Sequence, residues 1–219
     1  MKLLCISDIH GEAAGLRAIL PGAARGADVV VLAGDLTHLG GYAEAEALLA
    51  PLFAVGLPLV AVAGNMEHEG VRRYLGEKRV DIHGSGVVID GVGFMGLGAG
   101  TPSPFHSPWE LSDAEAAPLL AAGREVIAAA SFKVLVSHSP PRETRLDRTT
   151  LGQHVGSQAV RDFLESGAVD LCVCGHIHEA AGEDTVGKTP CVNLGPFRNG
   201  KYAVLAIEDG NVHVDWRKR

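Results

Sequence analysis

The stretch Met1-Lys2-Leu3-Leu4-Cys5-Ile6-Ser7-Asp8-Ile9-His10-Gly11 governs how the rest of the chain is read. Leu3 to Ile6 is an apolar run without polar alternation, as a strand covered on both faces requires. It stops at a carboxylate and an imidazole two residues apart. Residues i and i+2 of an extended segment point to the same side, so Asp8 and His10 can hold one cation together. Gly11 then lets the backbone turn away. An isolated Asp-x-His is more often a turn beside a surface histidine, so the reading depends on whether other strands end in the same way.

Four more do. Apolar runs over 28–33, 59–63, 132–137 and 170–174 stop at Gly34-Asp35-Leu36, Gly64-Asn65, His138 and Gly175-His176-Ile177-His178. Helical patterns separate the first three strands. One covers 12–20, with Leu16, Ile19 and Leu20 on one face and Pro21-Gly22 closing it. The other covers 43–53, with Leu48, Leu49, Leu52 and Phe53 facing inward. This alternation predicts parallel βαβ units with right-handed crossovers. Their strand ends then lie along one edge, where open α/β sheets bind ligands.

The pattern changes after Gly70. The sequence predicts a short helix over 71–75 and short antiparallel strands over 80–82, 87–89 and 92–95. A Gly- and Pro-rich loop over 97–108 follows, and then a helix running towards Ala130, boxed by Ser112 and Glu115. The polar segment 139–156 is long for a loop inside a compact domain. Its Arg142, Arg145, Arg148 and His154 read either as a lid offering cations to a second phosphate or a nucleotide, or as solvated loop charges. Ser157 caps a helix to Glu165. The close reads as a meander of strands over 189–194, 201–208 and 211–216, with an Asp209-Gly210 hairpin turn and Arg217-Lys218-Arg219 as a solvated tail. No repeat or linker divides the chain, so one domain over 1–219 is expected.

Composition excludes several classes. A net charge of −7 without a basic cluster argues against binding of long nucleic acid. No apolar run is long enough to span a bilayer, and Met1-Lys2 leads straight into the first strand, so neither a membrane segment nor a signal peptide is expected. Cys5, Cys172, Cys174 and Cys191 lie in apolar surroundings, as reduced thiols of a cytoplasmic protein do. Cys172 and Cys174 are one residue apart, which is neither a zinc-knuckle nor a redox spacing.

The strand ends deliver Asp8, His10, Asp35, Asn65, His138, His176 and His178, oxygen and nitrogen donors without a thiolate. Four imidazoles and two carboxylates exceed one closed tetrahedral zinc site. They suit two borderline divalent ions sharing a bridging carboxylate, Mn²⁺ first, with Fe²⁺, Zn²⁺, Ni²⁺ and Co²⁺ as alternatives. Such a pair clamps a phosphate and neutralises its developing charge. It also makes the site locally positive in an acidic chain.

In order, these segments resemble the five motifs of the calcineurin-like metallophosphoesterases, over Met1 to about Tyr202, and are most similar to the small single-domain prokaryotic branch. The resemblance implies an α/β fold: a four-layer αββα sandwich of two mixed β-sheets flanked by helices, with the metal site at the C-terminal ends of the strands. It implies Asp8, His10, Asp35 and His178 around one metal, and Asp35, Asn65, His138 and His176 around the other, with Asp35 bridging. The implied activity is hydrolysis of phosphodiesters by a metal-bridging hydroxide, with phosphomonoesters as the second substrate class. A small phosphate ester or nucleotide and a homodimer are the implied partners.

Many members of that family carry a histidine directly after the asparagine, where this chain has Met66. A thioether donates no proton, so leaving groups that need little protonation, such as aryl alcohols, are expected to be favoured. Glu67 matches the acidic residue that often follows and is expected to orient a ligand. His68 reads either as a replacement imidazole or as a surface residue. Asp35, Asn65, Glu67 and His68 thus form the expected catalytic set. Asn193-Leu194-Gly195-Pro196 resembles a late family segment that supports the site. The rival reading is a scaffold that has lost metals and binds protein, against which stand the seven intact ligand positions.

Overall fold

The computed structural model describes all residues from 1 to 219. The N-terminal half supplies β1 (Lys2–Ile6), α1 (Ala13–Ala23), β2 (Val29–Ala33), α2 (Tyr42–Val55), β3 (Leu59–Val62), α3 (Glu69–Glu77), β4 (Gly86–Ile89) and β5 (Val92–Leu97). There follow α4 (Asp113–Val126), β6 (Phe132–Ser137), α5 (Gln158–Glu165), β7 (Leu171–Cys174), β8 (Gly182–Val186), β9 (Thr189–Asn193), β10 (Lys201–Glu208) and β11 (Asn211–Lys218).

Two mixed sheets result, ordered β11-β10-β1-β2-β3 and β4-β5-β6-β7-β9-β8. The strands β1, β2 and β3, the last at the sheet edge, run parallel, as do β5, β6, β7 and β9. Antiparallel partners close the edges: β4 and β8 in the second sheet, and the β10–β11 hairpin beside β1 in the first.

Both faces of each central strand are covered, which is why their sequences do not alternate. From β1, Leu4 and Ile6 pack outward with Val30 and Leu32 against Leu16 of α1, Leu49 and Leu52 of α2 and Leu75 of α3. Leu3 and Cys5 face inward and meet Phe94, Val134, Val136 and Val173 of the other sheet. A third core lies beyond, where Met95, Leu135 and Cys172 pack under Leu120 of α4 and Val160 and Leu164 of α5. Three apolar layers separate four layers of structure, the αββα sandwich. Each fully buried aliphatic side chain contributes about 1.5–3 kcal/mol.

Several boundaries differ from the sequence expectations. Proline does not close α1: Pro21 lies inside it, and Pro51 and Pro118 lie inside α2 and α4. In α1 and α2 the carbonyls deprived of a donor, on Arg17 and Ala47, belong to exposed residues that water can serve. The helix α2 ends instead at Gly56, whose φ of 76° suits a left-handed cap. Val80-Asp81-Ile82 makes only an isolated bridge from Asp81 to Ala61, not a strand.

The closing strands are not one meander. β9 pairs with β7 and with β8, a polar edge strand that the sequence reading missed, whereas β10 and β11 belong to the other sheet. Arg217 and Lys218 lie in β11, and Arg219 pairs with Glu12 at 2.7 Å, so the basic terminus is no free tail.

Candidate metal centre

The parallel strands of both sheets deliver their C-terminal ends to one edge, and the loops there are tied together by main-chain bonds. Asp8 N–H donates to Gly34 O at 3.0 Å, His10 N–H to Asp35 O at 2.9 Å, and Gly175 N–H to His138 O at 3.1 Å. Asp8, His10, Asp35 and His176 have positive φ, 52°, 47°, 49° and 69°. That left-handed conformation costs on the order of 1 kcal/mol for a residue with a side chain. Asp and His tolerate it better than branched residues do. Here it turns donor groups inward at the point where each strand stops.

Glycine precedes three of the ligand candidates for a steric reason. A Cβ on Gly34 would strike the His138 ring, one on Gly64 would strike Asp35, and one on Gly175 would overlap Ser7 Oγ and Asp8 Oδ2. The loops approach too closely for any side chain but hydrogen.

The donors converge in two overlapping groups, Asp8 with His10 and His178, and Asp8 with Asp35 and His138. His10 Nε2 and His178 Nε2 are 3.2 Å apart, and His178 Nε2 is 3.2 Å from Asp8 Oδ1. The Asp35 carboxylate lies between the groups, Oδ2 3.7 Å from His10 Nε2 and Oδ1 3.4 Å from His138 Nε2. Asn65 Oδ1 is 3.0 Å from His138 Nε2, and the His176 ring is 4.9 Å from that of His138. The Nδ1 of His138 lies 2.8 Å from Ala33 O, so Nδ1–H donates there and Nε2 presents its lone pair to the site.

Electrostatics keep this cluster ready for cations. Burial pushes His10 down to about 4 and His176 to about 3, so both imidazoles are neutral and able to ligate at pH 7. Burial and the nearby charge of Asp8 raise Asp35 to about 8. For Asp8, burial acts upward, but the bond from His178 and the charges of His138 and His178 outweigh it and hold the group low. Two buried carboxylates side by side resist joint ionisation, which two divalent ions would relieve.

The donor set fits such ions. Ligand atoms about 2.0–2.2 Å from a metal stand roughly 3–3.5 Å from each other, the spacing seen from His178 to both His10 and Asp8, while Asp8 and His10 are 3.9 Å apart. His10 Nδ1 is also buried without a partner.

The remaining expected residues divide. Glu67 is fully buried and turned towards the strand ends: it accepts from Gly64 N–H and from Thr37 N–H at 2.9 Å, and burial with Asp35 nearby raises it to about 8. His68 is exposed at the start of α3 and bonds to none of the ligands. Met66 donates its N–H to Asp35 Oδ1 at 3.0 Å. Asn193 donates to Leu146 O and Ile177 O, tying the long loop to the segment that carries His176 and His178. Of the three loop arginines, only Arg142 lines the cleft beside the metal centre, while Arg145 pairs with Asp184 at 3.5 Å on the β8 edge.

Two residues near the site escaped sequence reasoning. The Arg198 guanidinium lies 3.5 Å from His178 Nδ1, and Ser7 Oγ donates to Ala33 O at 3.0 Å, bracing β1 against β2. Arg198 stands far from every motif in sequence. Only its N–H donation to Asp8 O brings it there.

A family model described as calcineurin-like phosphoesterase matches residues 1–180. The chain belongs to the calcineurin-like phosphoesterases. It is 33% identical over 223 residues to the uncharacterized Methanocaldococcus jannaschii protein MJ1162, covering 96% of this chain and 97% of the relative. Its fold is similar to that of TT1561 from Thermus thermophilus, with a TM-score of 0.76 and 19% identity over 98% of this chain and 97% of that one. A dimetal phosphatase from Danio rerio superimposes with a TM-score of 0.71 and 15% identity, over 100% of this chain and 96% of that one. Calcineurin-like phosphoesterases bind two divalent metals, and this chain holds candidate ligands for them.

Proposed function

We propose that the protein is a dinuclear metal-dependent phosphoesterase acting on phosphodiesters of small alcohols or nucleotides, as a single unit over 1–219. The observation that carries this reading is the position of Asp35, within 4 Å of an imidazole from each of the two donor groups. Asp8, His10, Asp35 and His178 are assigned to one ion, and Asp35, Asn65, His138 and His176 to the other, with Mn²⁺ as the leading metal. When bound, the pair supplies positive charge against the phosphoryl oxygens and a nucleophile from water at neutral pH.

The chain's own residues do the rest. Neutral His10 and His176 leave their lone pairs free, and the Ala33 carbonyl fixes the His138 tautomer. Glu67 is a positioning residue: by holding Gly64 and Thr37 it fixes where Asn65 and Asp35 begin. Arg198 adds a cation on the His178 side, where a phosphate oxygen is expected.

The cleft beside the cluster supports a diester. Its volume of 960 Å³ far exceeds one phosphate, and Leu39, Met66 and Phe105 on its walls suit an organic substituent. Similarity to a dimetal phosphatase favours a monoester as the second reading. The four buried free thiols support a reducing, cytoplasmic setting, and no helix is long and apolar enough to cross a membrane.

The test is hydrolysis of bis-p-nitrophenyl phosphate and p-nitrophenyl phosphate by metal-stripped protein refilled with Mn²⁺, Ni²⁺, Zn²⁺ or Mg²⁺. Metal-dependent turnover with the diester preferred is the expected result. Preference for the monoester would move the assignment to a phosphatase, and failure to bind metal would overturn both.

A further inference from the structure

The family histidine replaced by Met66 leaves the leaving group without a proton donor on the Asn65 side of the cleft. The cleft carries two further imidazoles beside His176, those of His154 and the exposed His106. His154 and Gln153 line the same cleft as Asn65, Met66 and His176. His154 Nδ1 is 2.7 Å from Asp147 Oδ1, and its Nε2 has no partner within the protein.

Asp147 is fully buried and held by N–H groups of Glu143, Thr144 and Gly156 at 3.1, 2.9 and 3.0 Å. Those main-chain bonds already pin the loop, so His154 is not needed to close it. The histidine adds a side chain 36% exposed, with one nitrogen fixed by a buried carboxylate. That is the arrangement of a base or acid oriented by a third group. Further ties, Thr101 Oγ1 to Val155 O at 2.9 Å and Ser157 N–H to Pro140 O at 2.9 Å, hold the segment against the cleft floor.

We infer that His154, oriented by Asp147, is the general acid that protonates the leaving alcohol, in place of the histidine absent at position 66. This rests on the phosphoesterase reading above. A water oxygen forms the new P–O bond and loses a proton to solvent. The P–O bond to the alcohol breaks with its electron pair on the alcohol oxygen. The proton on Nε2 of the His154 imidazolium passes to that oxygen, leaving a neutral imidazole whose Nδ1–H stays on Asp147. Solvent returns a proton to Nε2, so ester plus water gives alcohol plus acid. Esters of poorly acidic alcohols then become substrates, contrary to the aryl preference read from Met66 alone.

The test compares metal-loaded wild type and His154→Gln on diesters of p-nitrophenol, phenol and benzyl alcohol. General-acid help is worth about 10²–10⁴-fold and grows with the basicity of the leaving group. The variant is expected to lose turnover more steeply along that series, its benzyl/p-nitrophenyl ratio falling at least about tenfold. An equal loss on all three diesters would overturn the role and leave the phosphoesterase reading standing. Wild type inactive on all three would overturn both.

A second readout needs no variant. In the Zn²⁺-loaded wild type, the ¹⁵N resonance of His154 Nε2 is expected to shift on titration with phenylphosphonate while Nδ1 stays protonated. An Nε2 that ignores the phosphonate would overturn the inference, even if His154→Gln failed to fold.

Discussion

At the scale of single residues, the metal centre depends on glycines as much as on ligands. Gly175 sits where any Cβ would overlap Ser7 and Asp8, so Gly175→Ala must push the His176–His178 segment off the Asp8 carboxylate. The expected result is loss of at least one bound metal equivalent, read by metal analysis after dialysis, with the fold retained by circular dichroism. Among the candidate ligands, Asp35→Asn removes a carboxylate charge within 4 Å of both His10 and His138, and His176→Ala removes one imidazole. Each is expected to lower metal-dependent turnover by at least about 10²-fold, in line with the several kcal/mol that such ions supply.

His83 illustrates a buried imidazole with a different role. Its Nδ1 accepts from Gly98 N–H at 2.9 Å, and burial, with Arg72 nearby, pushes it down to about 4. The unfolded chain therefore takes up this proton first as pH falls through about 6.5. Stability contributed by the neutral ring is present above pH 6.5 and is lost as pH falls towards 4, by at most about 1.4 kcal/mol per pH unit. The slope of unfolding free energy between pH 6.5 and 4, measured by urea titration, is expected to flatten in His83→Gln.

At the scale of elements, the segment between β6 and α5 is the informative one. It lacks regular structure over most of its length, yet it is pinned through one carboxylate. Asp147 accepts from three main-chain N–H groups and from His154. Asp147→Ala would leave the buried N–H groups of Thr144 and Gly156 unpaired, each at about 1–3 kcal/mol. Limited proteolysis is expected to cut the variant within 142–156 while wild type resists, since Arg142 and Arg148 are exposed tryptic sites.

The helix α4 provides a smaller case. Ser112 accepts from Glu115 N–H, and the Glu115 carboxylate accepts from Ser112 N–H at 2.9 Å, a complete capping box. Ser112→Ala is expected to cost about 0.5–2 kcal/mol by chemical denaturation, without touching metal binding.

At the scale of the whole molecule, ions held at the candidate centre are expected to add to stability. The two sheets meet through an apolar layer of residues such as Leu3, Val31, Phe94 and Val134, while their strand ends share the candidate ligand cluster. Metal bound to the folded state alone stabilises it by RT ln(1 + [M]/Kd), about 2.7 kcal/mol at a hundredfold excess over Kd. Chelation is expected to lower the melting temperature of wild type by several degrees, and that of Asp35→Asn by less. An equal drop in both would show that the ions seen by chelation are held elsewhere.

The strand-end donors that the fold brings together were legible in the amino-acid order alone, because a strand buried on both faces writes a continuous apolar run and stops where polar chemistry begins. β1, β2, β6 and β7 could be read for that reason, as could the glycines that mark where their ends turn. The polar edge strand β8 could not: Gly182-Glu183-Asp184-Thr185-Val186 buries little and so carries no apolar signature. The sheet to which β9 belongs was also hidden, since strands covered on both faces look alike whichever partner they take.

It took the folded chain to show that Glu67 faces the strand ends and His68 faces solvent. The turn into α3 is fixed by the N–H of Gly64 close by and by that of Thr37, which is distant in sequence. The same holds for Asp147 and His154. Seven residues apart in an irregular loop, they share no periodic pattern, and bonds such as Thr101 Oγ1 to Val155 O hold the loop where the imidazole lines the cleft.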